Sequence, residues 1–189
     1  MSARTLYLMR HGTPALTGRM LGRTDCGVTD EGVAACRAQA EGLAVVRVIA
    51  SDLRRATRCA EAVAADLELT PHIDPRWREL DFGAWEGLES GAIDTAALGR
   101  FWADPDANPP PGGERWTALV ERVGAAIGDL PAEPALVVTH GGAMRAALHV
   151  LCGFPLPQLW GFDLPYASVL ALRIWDGPAR SGQIVGLWP

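Results

Sequence analysis

The chain has 189 residues, 49% of them hydrophobic and 21% charged, which is ordinary for a globular domain and excludes a disordered or fibrous protein. Its net charge of −5 offers no overall attraction to nucleic acid or to an anionic membrane surface, so an anionic ligand must be held by local groups. The four scattered cysteines form no Cys-x-x-Cys pair, and the sequence shows no secretory or bilayer-spanning apolar stretch, so we expect a cytoplasmic protein with reduced thiols.

The first half of the chain alternates between strand and helix patterns. β-favouring residues predict strands at 5–9 and 44–50, and Thr29 is placed to cap a helix between them whose apolar residues recur at helical spacing. A second helix is predicted over 52–67, and a short strand over 72–74. This order is that of a β-α-β unit followed by a further helix.

The second half continues the alternation around a proline-rich loop, the PPPGG stretch at 109–113. The predicted elements are helices at 94–103, 116–127 and 143–152, a strand at 135–139, and a closing antiparallel pair at 168–175 and 183–188 joined through Asp176-Gly177-Pro178. Strands that alternate with helices predict an α/β fold, a three-layer α-β-α sandwich with a mostly parallel central sheet and an antiparallel edge. Because the sequence shows no internal repeat and no linker, we expect a single domain over 1–189.

Chemically active residues follow three of the predicted strands. Arg10-His11-Gly12 follows the first strand, Ser51-Asp52-Leu53-Arg54-Arg55 follows the second, and His140-Gly141-Gly142 follows the strand at 135–139. The carboxyl ends of parallel strands meet at one edge of a sheet, where ligands bind. Two arginines grip a phosphate dianion with forked hydrogen bonds, and glycines let backbone N–H groups approach it. The sequence therefore predicts a phosphate site at this edge.

A histidine in such a site is a candidate nucleophile, because nearby cations disfavour its protonated form. The leaving oxygen then needs a proton donor, and the glycine-rich segment 78–87 (RELDFGAWEG) carries several carboxylates. Glu79 is our candidate for this acid. Asp81 and Glu86 are its competitors, and we interpret both as hydrogen-bonding partners of the loop.

Four blocks in this order resemble the motifs of the histidine phosphatase superfamily, which includes cofactor-dependent phosphoglycerate mutases and many small phosphomonoesterases. LMRHG matches the family's first block, SDLRRA its second and VVTHGG its last. Glu79, followed by Phe82-Gly83 and Trp85-Glu86-Gly87, matches the acid block. The resemblance covers most of the chain and implies a phosphoglycerate mutase-like fold.

The resemblance also implies a role for each matched residue. It implies a phosphorylated nucleophile at His11, a proton donor at Glu79, a second catalytic imidazole at His140, and phosphate ligands at Arg10, Arg55, His140 and Gly141. Thr17 stands six residues after His11, where the family usually has asparagine, and is a further candidate phosphate ligand. The four histidines show no metal-ligand spacing, so we expect no metal and no other cofactor.

The remaining cationic side chains near these blocks have a structural interpretation. Arg54 and Arg58 are interpreted as solvated helix residues, although either is close enough to Arg55 to border the anion pocket. His72 is interpreted as a loop residue, and His149 as a surface or hydrogen-bonded core histidine.

The implied reaction is phosphomonoester hydrolysis through a phosphohistidine. Mutases of this family carry a longer insertion between the acid block and the last histidine, whereas Glu79 and His140 are close in this sequence, which favours hydrolysis. Phosphoglycerate mutase-type phosphoryl transfer and a catalytically silent relative that binds a phosphorylated partner remain as alternatives.

The substrate is predicted to be a small phosphorylated metabolite. The Arg-His-Gly-Thr-Pro start and the Gly22-Arg23-Thr24-Asp25 turn resemble alpha-ribazole phosphatases of cobalamin assembly, which makes alpha-ribazole phosphate our candidate; broad-specificity sugar-phosphate or phosphoprotein phosphatases share the same core. We interpret 88–113 as a substrate-facing insertion, where Trp102 and Trp116 flank the proline loop. The last helix and the closing hairpin are candidate surfaces for a homodimer, and we expect no nucleic-acid or membrane partner.

Overall fold

The computed structural model describes residues 3–175 and 181–189, and its centre is a six-stranded sheet. The strands are β1 (Ala3–Arg10), β2 (Arg47–Ala50), β3 (His72–Ile73), β4 (Ala135–Thr139), β5 (Val169–Trp175) and β6 (Ser181–Trp188), in the spatial order β3-β2-β4-β1-β5-β6. The strands β3, β2, β4 and β1 run parallel to one another, whereas β5 is antiparallel to both β1 and β6. The predicted mostly parallel sheet with an antiparallel edge is confirmed.

Helices cover both faces of this sheet. They are α1 (Asp30–Ala40), α2 (Arg54–Asp66), α3 (Thr95–Ala103), α4 (Trp116–Gly128), α5 (Gly141–Cys152) and the short α6 (Leu156–Leu159), with single 3₁₀ turns at Pro75–Trp77, Gly83–Trp85 and Ser90–Ala92. Within residues 3–175 and 181–189, no helix has the length and apolar character needed to cross a bilayer.

The core is divided by the sheet into two apolar layers. β4 shows the division, because Val138 packs with α1 and α2 on one face while Val137 packs with α4 and α5 on the other. Every residue of β4 is buried, as expected for a central parallel strand covered on both faces. The structure therefore has the predicted three-layer α-β-α arrangement.

Several element boundaries differ from the predicted ones, each for a local reason. β2 begins at Arg47 rather than at residue 44, because the preceding residues form a turn in which the Val45 N–H donates to the Leu43 carbonyl. Helix α5 begins at Gly141 rather than at 143, because the His140 carbonyl already accepts the first helical hydrogen bond, from Met144 N–H at 2.9 Å. Thr29 caps α1 as predicted, its side-chain oxygen accepting from the Gly32 N–H.

The closing antiparallel pair is present as β5 and β6. β5 begins one residue later than predicted, and β6 begins two residues earlier. The Asp176-Gly177-Pro178 connection that was predicted between them lies outside the described residues. The PPPGG stretch is irregular, as predicted.

Candidate active site

The two histidines that follow β1 and β4 lie side by side. The strands are parallel neighbours with Arg10 opposite Thr139, and the His11 N–H extends the ladder by donating to the Thr139 carbonyl at 2.8 Å. The ring centroids of His11 and His140 are 5.0 Å apart with an edge-on angle of 63°. The sheet register therefore brings two imidazoles to one point at the carboxyl edge.

His11 is held as a neutral imidazole with one free lone pair. Its Nδ1 lies 2.7 Å from the Gly12 carbonyl oxygen, which only accepts, so Nδ1 carries the proton and Nε2 has the lone pair. Burial, followed by the charge of Arg55 and then of Arg10, lowers the pKa of His11 to about 3, against the opposing effect of the Gly12 hydrogen bond. The ring is therefore available as a nucleophile at neutral pH.

His140 is also buried and neutral. Complete burial is the main cause that lowers the pKa of this imidazole well below its ordinary value, and the neighbouring His11, Arg55 and Arg10 act in the same direction because each disfavours a second positive charge. Its Nε2 is 2.9 Å from the Ser51 hydroxyl oxygen, which also accepts from a backbone amide at 3.4 Å. A Ser51 hydroxyl that donates to Nε2 leaves the proton on Nδ1, so the ring presents a neutral N–H donor.

Two arginines surround His11, and each is fixed by backbone carbonyls. Arg10 donates to the Leu164 carbonyl at 2.6 Å, and its guanidinium carbon lies 4.1 Å from the centre of the Tyr166 ring. The Tyr166 ring is in turn 5.5 Å from the His11 ring. Arg55, which is completely buried, donates to three carbonyl oxygens in the segment 21–24. Both cations therefore have fixed positions.

Three buried nitrogens around His11 remain unpaired. Considering the described part of the chain only, Nε of Arg10, Nε of Arg55 and Nδ1 of His140 have no hydrogen-bond partner. Buried polar groups are nearly always paired, so a cluster of unpaired nitrogens in this position fits an anionic ligand with several acceptor oxygens. A phosphoryl group has this chemistry.

Glu86 organises the segment that holds Arg55. Its carboxylate accepts from the backbone N–H groups of Gly22, Arg23, Thr24 and Phe82 at 2.7 to 3.2 Å, and from the Thr24 hydroxyl at 2.6 Å. Burial would raise the pKa of Glu86, but these hydrogen bonds outweigh burial and lower it. Glu86 is thus a partner of the loop, as predicted, and acts on Arg55 through the loop's carbonyls.

Glu79 lies beside the amino end of α5. Its Oε1 accepts from the Leu80 N–H at 2.8 Å and its Oε2 from the Gly142 N–H at 3.0 Å. A Cβ atom at position 142 would overlap the Glu79 carboxylate, so any side chain there would displace this carboxylate from its present position. The second glycine of His-Gly-Gly therefore makes room for the candidate acid.

Arg122 of α4 fixes the backbone around Glu79. It donates to the carbonyl oxygens of Arg76, Arg78 and Glu79 at 2.7 to 2.8 Å. Its remaining two N–H groups form a fork to the Glu114 carboxylate at 2.7 and 2.9 Å. All five guanidinium donors are used, and the sequence motifs did not point to Arg122 because it lies in an otherwise ordinary amphipathic helix.

A cavity of about 200 Å³ opens over these groups, and its lining includes Arg10, His11, Glu79, Gly141 and Gly142. Arg55 and His140 lie fully buried behind this lining. The sequence motifs did not identify three further lining residues, Arg19, Arg145 and Tyr166. The sequence could have identified Arg145, because this residue lies one helical turn after Gly141 and therefore on the same face of α5.

Other predicted residues lie away from the cavity. Thr17 is exposed and is not part of the cavity lining, so the structure does not bring this candidate phosphate ligand together with His11. Arg54 and Arg58 are exposed on α2, as interpreted from the sequence. His72 is exposed in β3 rather than in a loop, and His149 pairs with the Phe154 carbonyl at 2.8 Å.

Over residues 3–175 and 181–189, no three or more histidine, cysteine, aspartate or glutamate side chains are grouped so as to hold a metal ion. The charged side chains of the cavity lining are Arg10, Arg19, Glu79 and Arg145, and Arg55 lies buried behind them.

Known proteins resemble this chain in sequence and in fold. The model of the histidine phosphatase superfamily (branch 1) matches residues 6–184. Glucosyl-3-phosphoglycerate phosphatase of Mycolicibacterium vanbaalenii is 31% identical over 82% of this chain and 77% of its own, and the probable phosphoglycerate mutase GpmB of Proteus mirabilis is 32% identical over 79% and 75%. The native structure of a mycobacterial glucosyl-3-phosphoglycerate phosphatase superimposes with a TM-score of 0.85 at 26% identity, covering 97% of this chain and 98% of that one. The chain therefore belongs to the histidine phosphatase superfamily, branch 1, and is a phosphatase.

Proposed function

We propose that this protein is a metal-independent phosphomonoesterase that acts on a small phosphorylated metabolite through a phosphohistidine on His11. The observation that carries the proposal is the state of His11, a neutral imidazole whose Nδ1–H is held by the Gly12 carbonyl and whose Nε2 is free. Two arginines and a second neutral imidazole surround it. This arrangement suits attack by Nε2 on phosphorus rather than proton transfer alone.

In the first half-reaction, the phosphoryl oxygens accept from Arg10, Arg55, the His140 Nδ1–H and the Gly141 N–H. Nε2 of His11 attacks phosphorus in line, so a P–N bond forms while the ester P–O bond breaks. Protonated Glu79 gives its proton to the departing alkoxide. The hydrogen bond from Nδ1 to the Gly12 carbonyl stabilises the positive charge that the ring gains.

In the second half-reaction, Glu79 as a carboxylate takes a proton from water, and the resulting hydroxide attacks phosphorus. The P–N bond breaks, inorganic phosphate leaves, and His11 returns to its neutral form with Glu79 protonated again. Arginine cations supply the charge that a metal ion supplies in other phosphatases, so no step needs a metal.

The natural substrate is a finer part of the proposal. The residues that resemble alpha-ribazole phosphatases, and with them a place in cobalamin biosynthesis, make alpha-ribazole phosphate the first candidate. The relatives add glucosyl-3-phosphoglycerate and phosphoglycerates as esters to compare. Phe101, Trp102 and Pro105 contribute to the cavity lining, which supports the proposal that 88–113 faces the substrate within a single domain.

The test is phosphate release from these esters with a chelator present, using the wild-type protein, His11→Ala and, as a control, the exposed His72→Ala. We expect chelator-resistant release that is lost in His11→Ala and retained in His72→Ala. Interconversion of phosphoglycerates without phosphate release would instead identify a mutase. Binding of phosphate esters without either reaction would identify a catalytically silent relative.

A further inference from the structure

Two tryptophans at the mouth of the active-site cavity are unusually exposed. Trp102 of α3 is 43% exposed and Trp160, just after α6, is 39% exposed, and both line the cavity that contains His11. Their rings meet edge to face, with centroids 5.2 Å apart and an angle of 81°. Large aromatic surface is costly to leave in water, and in a cavity mouth it is available to a ligand.

An aromatic wall connects this mouth to the interior. The Trp102 ring is 4.8 Å from the Phe101 ring, which is 6.0 Å from the Phe82 ring, and all three residues line the same cavity. Phe101 is buried and supports the wall, so a ligand with its phosphoryl group at His11 would meet apolar surface mainly from Phe82 and Trp102.

Arg145 holds Trp160 in position. Its guanidinium carbon lies 5.2 Å from the centre of the Trp160 ring, a cation–π distance. The same guanidinium is fixed by the carbonyl oxygens of Gly141, Leu159 and Phe162 at 3.1 to 3.3 Å. Arg145, in the helix that follows His140, thus joins the cavity mouth to the beginning of that helix.

Polar partners for a substrate are few at this end. Arg19 also lines the cavity, but it donates to the Gly87 carbonyl at 2.8 Å and forms an ion pair with Glu89 at 3.0 Å. A highly hydroxylated alcohol would find few acceptors and donors against the aromatic wall, whereas a flat ring would gain stacking contacts.

We propose that Trp102 and Trp160 form a subsite for an aromatic ring, so that the preferred substrates are phosphomonoesters whose alcohol carries a flat ring. This inference rests on the proposed function, because it takes the phosphoryl group to lie at His11. It adds the chemical class of the leaving group and the residues that select it.

The experiment compares benzyl, cyclohexylmethyl and ethyl phosphates, whose leaving groups are all primary alkoxides. We expect kcat/KM of the wild-type protein to favour benzyl over ethyl phosphate by about tenfold or more, with cyclohexylmethyl phosphate clearly below benzyl. In Trp102→Ala and Trp160→Ala the benzyl-to-ethyl ratio should fall towards one. Trp188→Ala, which removes a tryptophan that is 45% exposed outside the cavity, should keep the wild-type ratio.

Two results would overturn the ring subsite. One is a benzyl-to-ethyl ratio that stays unchanged in both cavity variants, since a merely structural loss lowers both esters together. The other is equal preference for benzyl and cyclohexylmethyl phosphate, which would indicate an apolar pocket without selection for a flat ring.

A binding measurement separates this inference from the proposed function. If the wild-type protein hydrolyses none of the esters, the proposed function fails. The binding of benzylphosphonate and ethylphosphonate, measured by calorimetry, then tests the ring subsite independently of hydrolysis. Tighter binding of benzylphosphonate that is lost in Trp102→Ala would support the ring subsite, and equal binding of the two phosphonates would contradict it.

Discussion

The Gly142 N–H donates to Glu79 Oε2 at 3.0 Å, which ties the candidate acid to the helix that begins after His140. The carboxylate occupies the space that a Cβ at position 142 would need. The acid and the second imidazole are therefore positioned by one short backbone segment.

Replacing this glycine should displace the acid. We expect Gly142→Ala to lower kcat for alkyl phosphates by about 100-fold, the usual scale of general acid–base catalysis, while the protein still folds. The control is Gly128→Ala, because a Cβ there meets open space. Steady-state kinetics with thermal unfolding would check both variants, and wild-type kcat in Gly142→Ala would show that the acid does not depend on this contact.

Arg122 is expected to act as a positioning residue for Glu79. Arg122→Lys loses the planar fork that joins the 76–79 backbone to Glu114, so proton donation to the leaving oxygen should become less efficient. We expect kcat/KM to fall about tenfold for ethyl phosphate and much less for p-nitrophenyl phosphate, whose leaving group needs little protonation.

The leaving-group comparison separates positioning from general damage to the fold. Equal losses for both esters in Arg122→Lys would contradict the positioning role. The matched control is Arg115→Lys, since Arg115 is exposed and donates to the Asp106 carbonyl. This variant should leave kcat/KM unchanged for both esters.

Glu86 is expected to control anion affinity through the segment 22–24. In Glu86→Gln, an NH2 group replaces one of the carboxylate oxygens, which accept hydrogen bonds from the backbone N–H groups of this segment. The segment and Arg55 should therefore lose their fixed position. Leaving buried donors unpaired costs about 1 to 3 kcal/mol of stability, and we expect vanadate inhibition to weaken about tenfold.

The control for this variant is Glu89→Gln, because the Glu89 side chain lies in an exposed ion pair with Arg19. Exposed pairs contribute about 0 to 1 kcal/mol, so its inhibition constant and melting temperature should stay close to wild type. If Glu86→Gln also kept the wild-type inhibition constant and melting temperature, the position of the loop would not depend on Glu86.

The neutral histidines predict a specific dependence of stability on pH. An unfolded histidine has a pKa of about 6.5, whereas burial and neighbouring arginines hold the pKa of folded His11 at about 3. Between these values the unfolded chain binds the extra proton, so the free energy of unfolding falls as pH falls from about 6.5 towards 3. The maximum slope is about 1.4 kcal/mol per pH unit for each such group, and His140 should contribute in the same direction.

Denaturant unfolding between pH 5 and 6.5 checks this prediction, since most carboxylates titrate below about pH 5. His11→Ala should show a shallower slope than the wild-type protein, and His72→Ala, which removes an exposed histidine, should not. An unchanged slope in His11→Ala would mean that His11 is not held neutral by the fold.

The sequence was sufficient for the fold class and for the positions that come together at the sheet edge. Motifs after successive strands identify such positions because parallel strands present their carboxyl ends on one side. The pairing of Arg10 with Thr139 then places His11 next to His140. Their meeting at one edge follows from the parallel direction of the strands, which an alternating pattern of strands and helices predicts.

Other parts of the site depend on packing between distant segments, which no local pattern records. Tyr166 reaches His11 from the segment before β5, and Arg122 reaches Glu79 from the middle of α4. Trp160 lines the cavity only because α6 folds back beside α5. Thr17 illustrates the opposite case, since its spacing from His11 made it a candidate while the structure leaves it exposed.

The phosphohistidine on His11 is tested most directly by trapping it during turnover. Phosphohistidine survives alkaline conditions, so the protein would be mixed rapidly with a phosphate ester, quenched in alkali, digested and analysed by mass spectrometry. We expect one phosphoryl group on the peptide that contains His11, and none in His11→Ala. Continued hydrolysis with no phosphorylated peptide, or with the phosphoryl group on His140 instead, would contradict it.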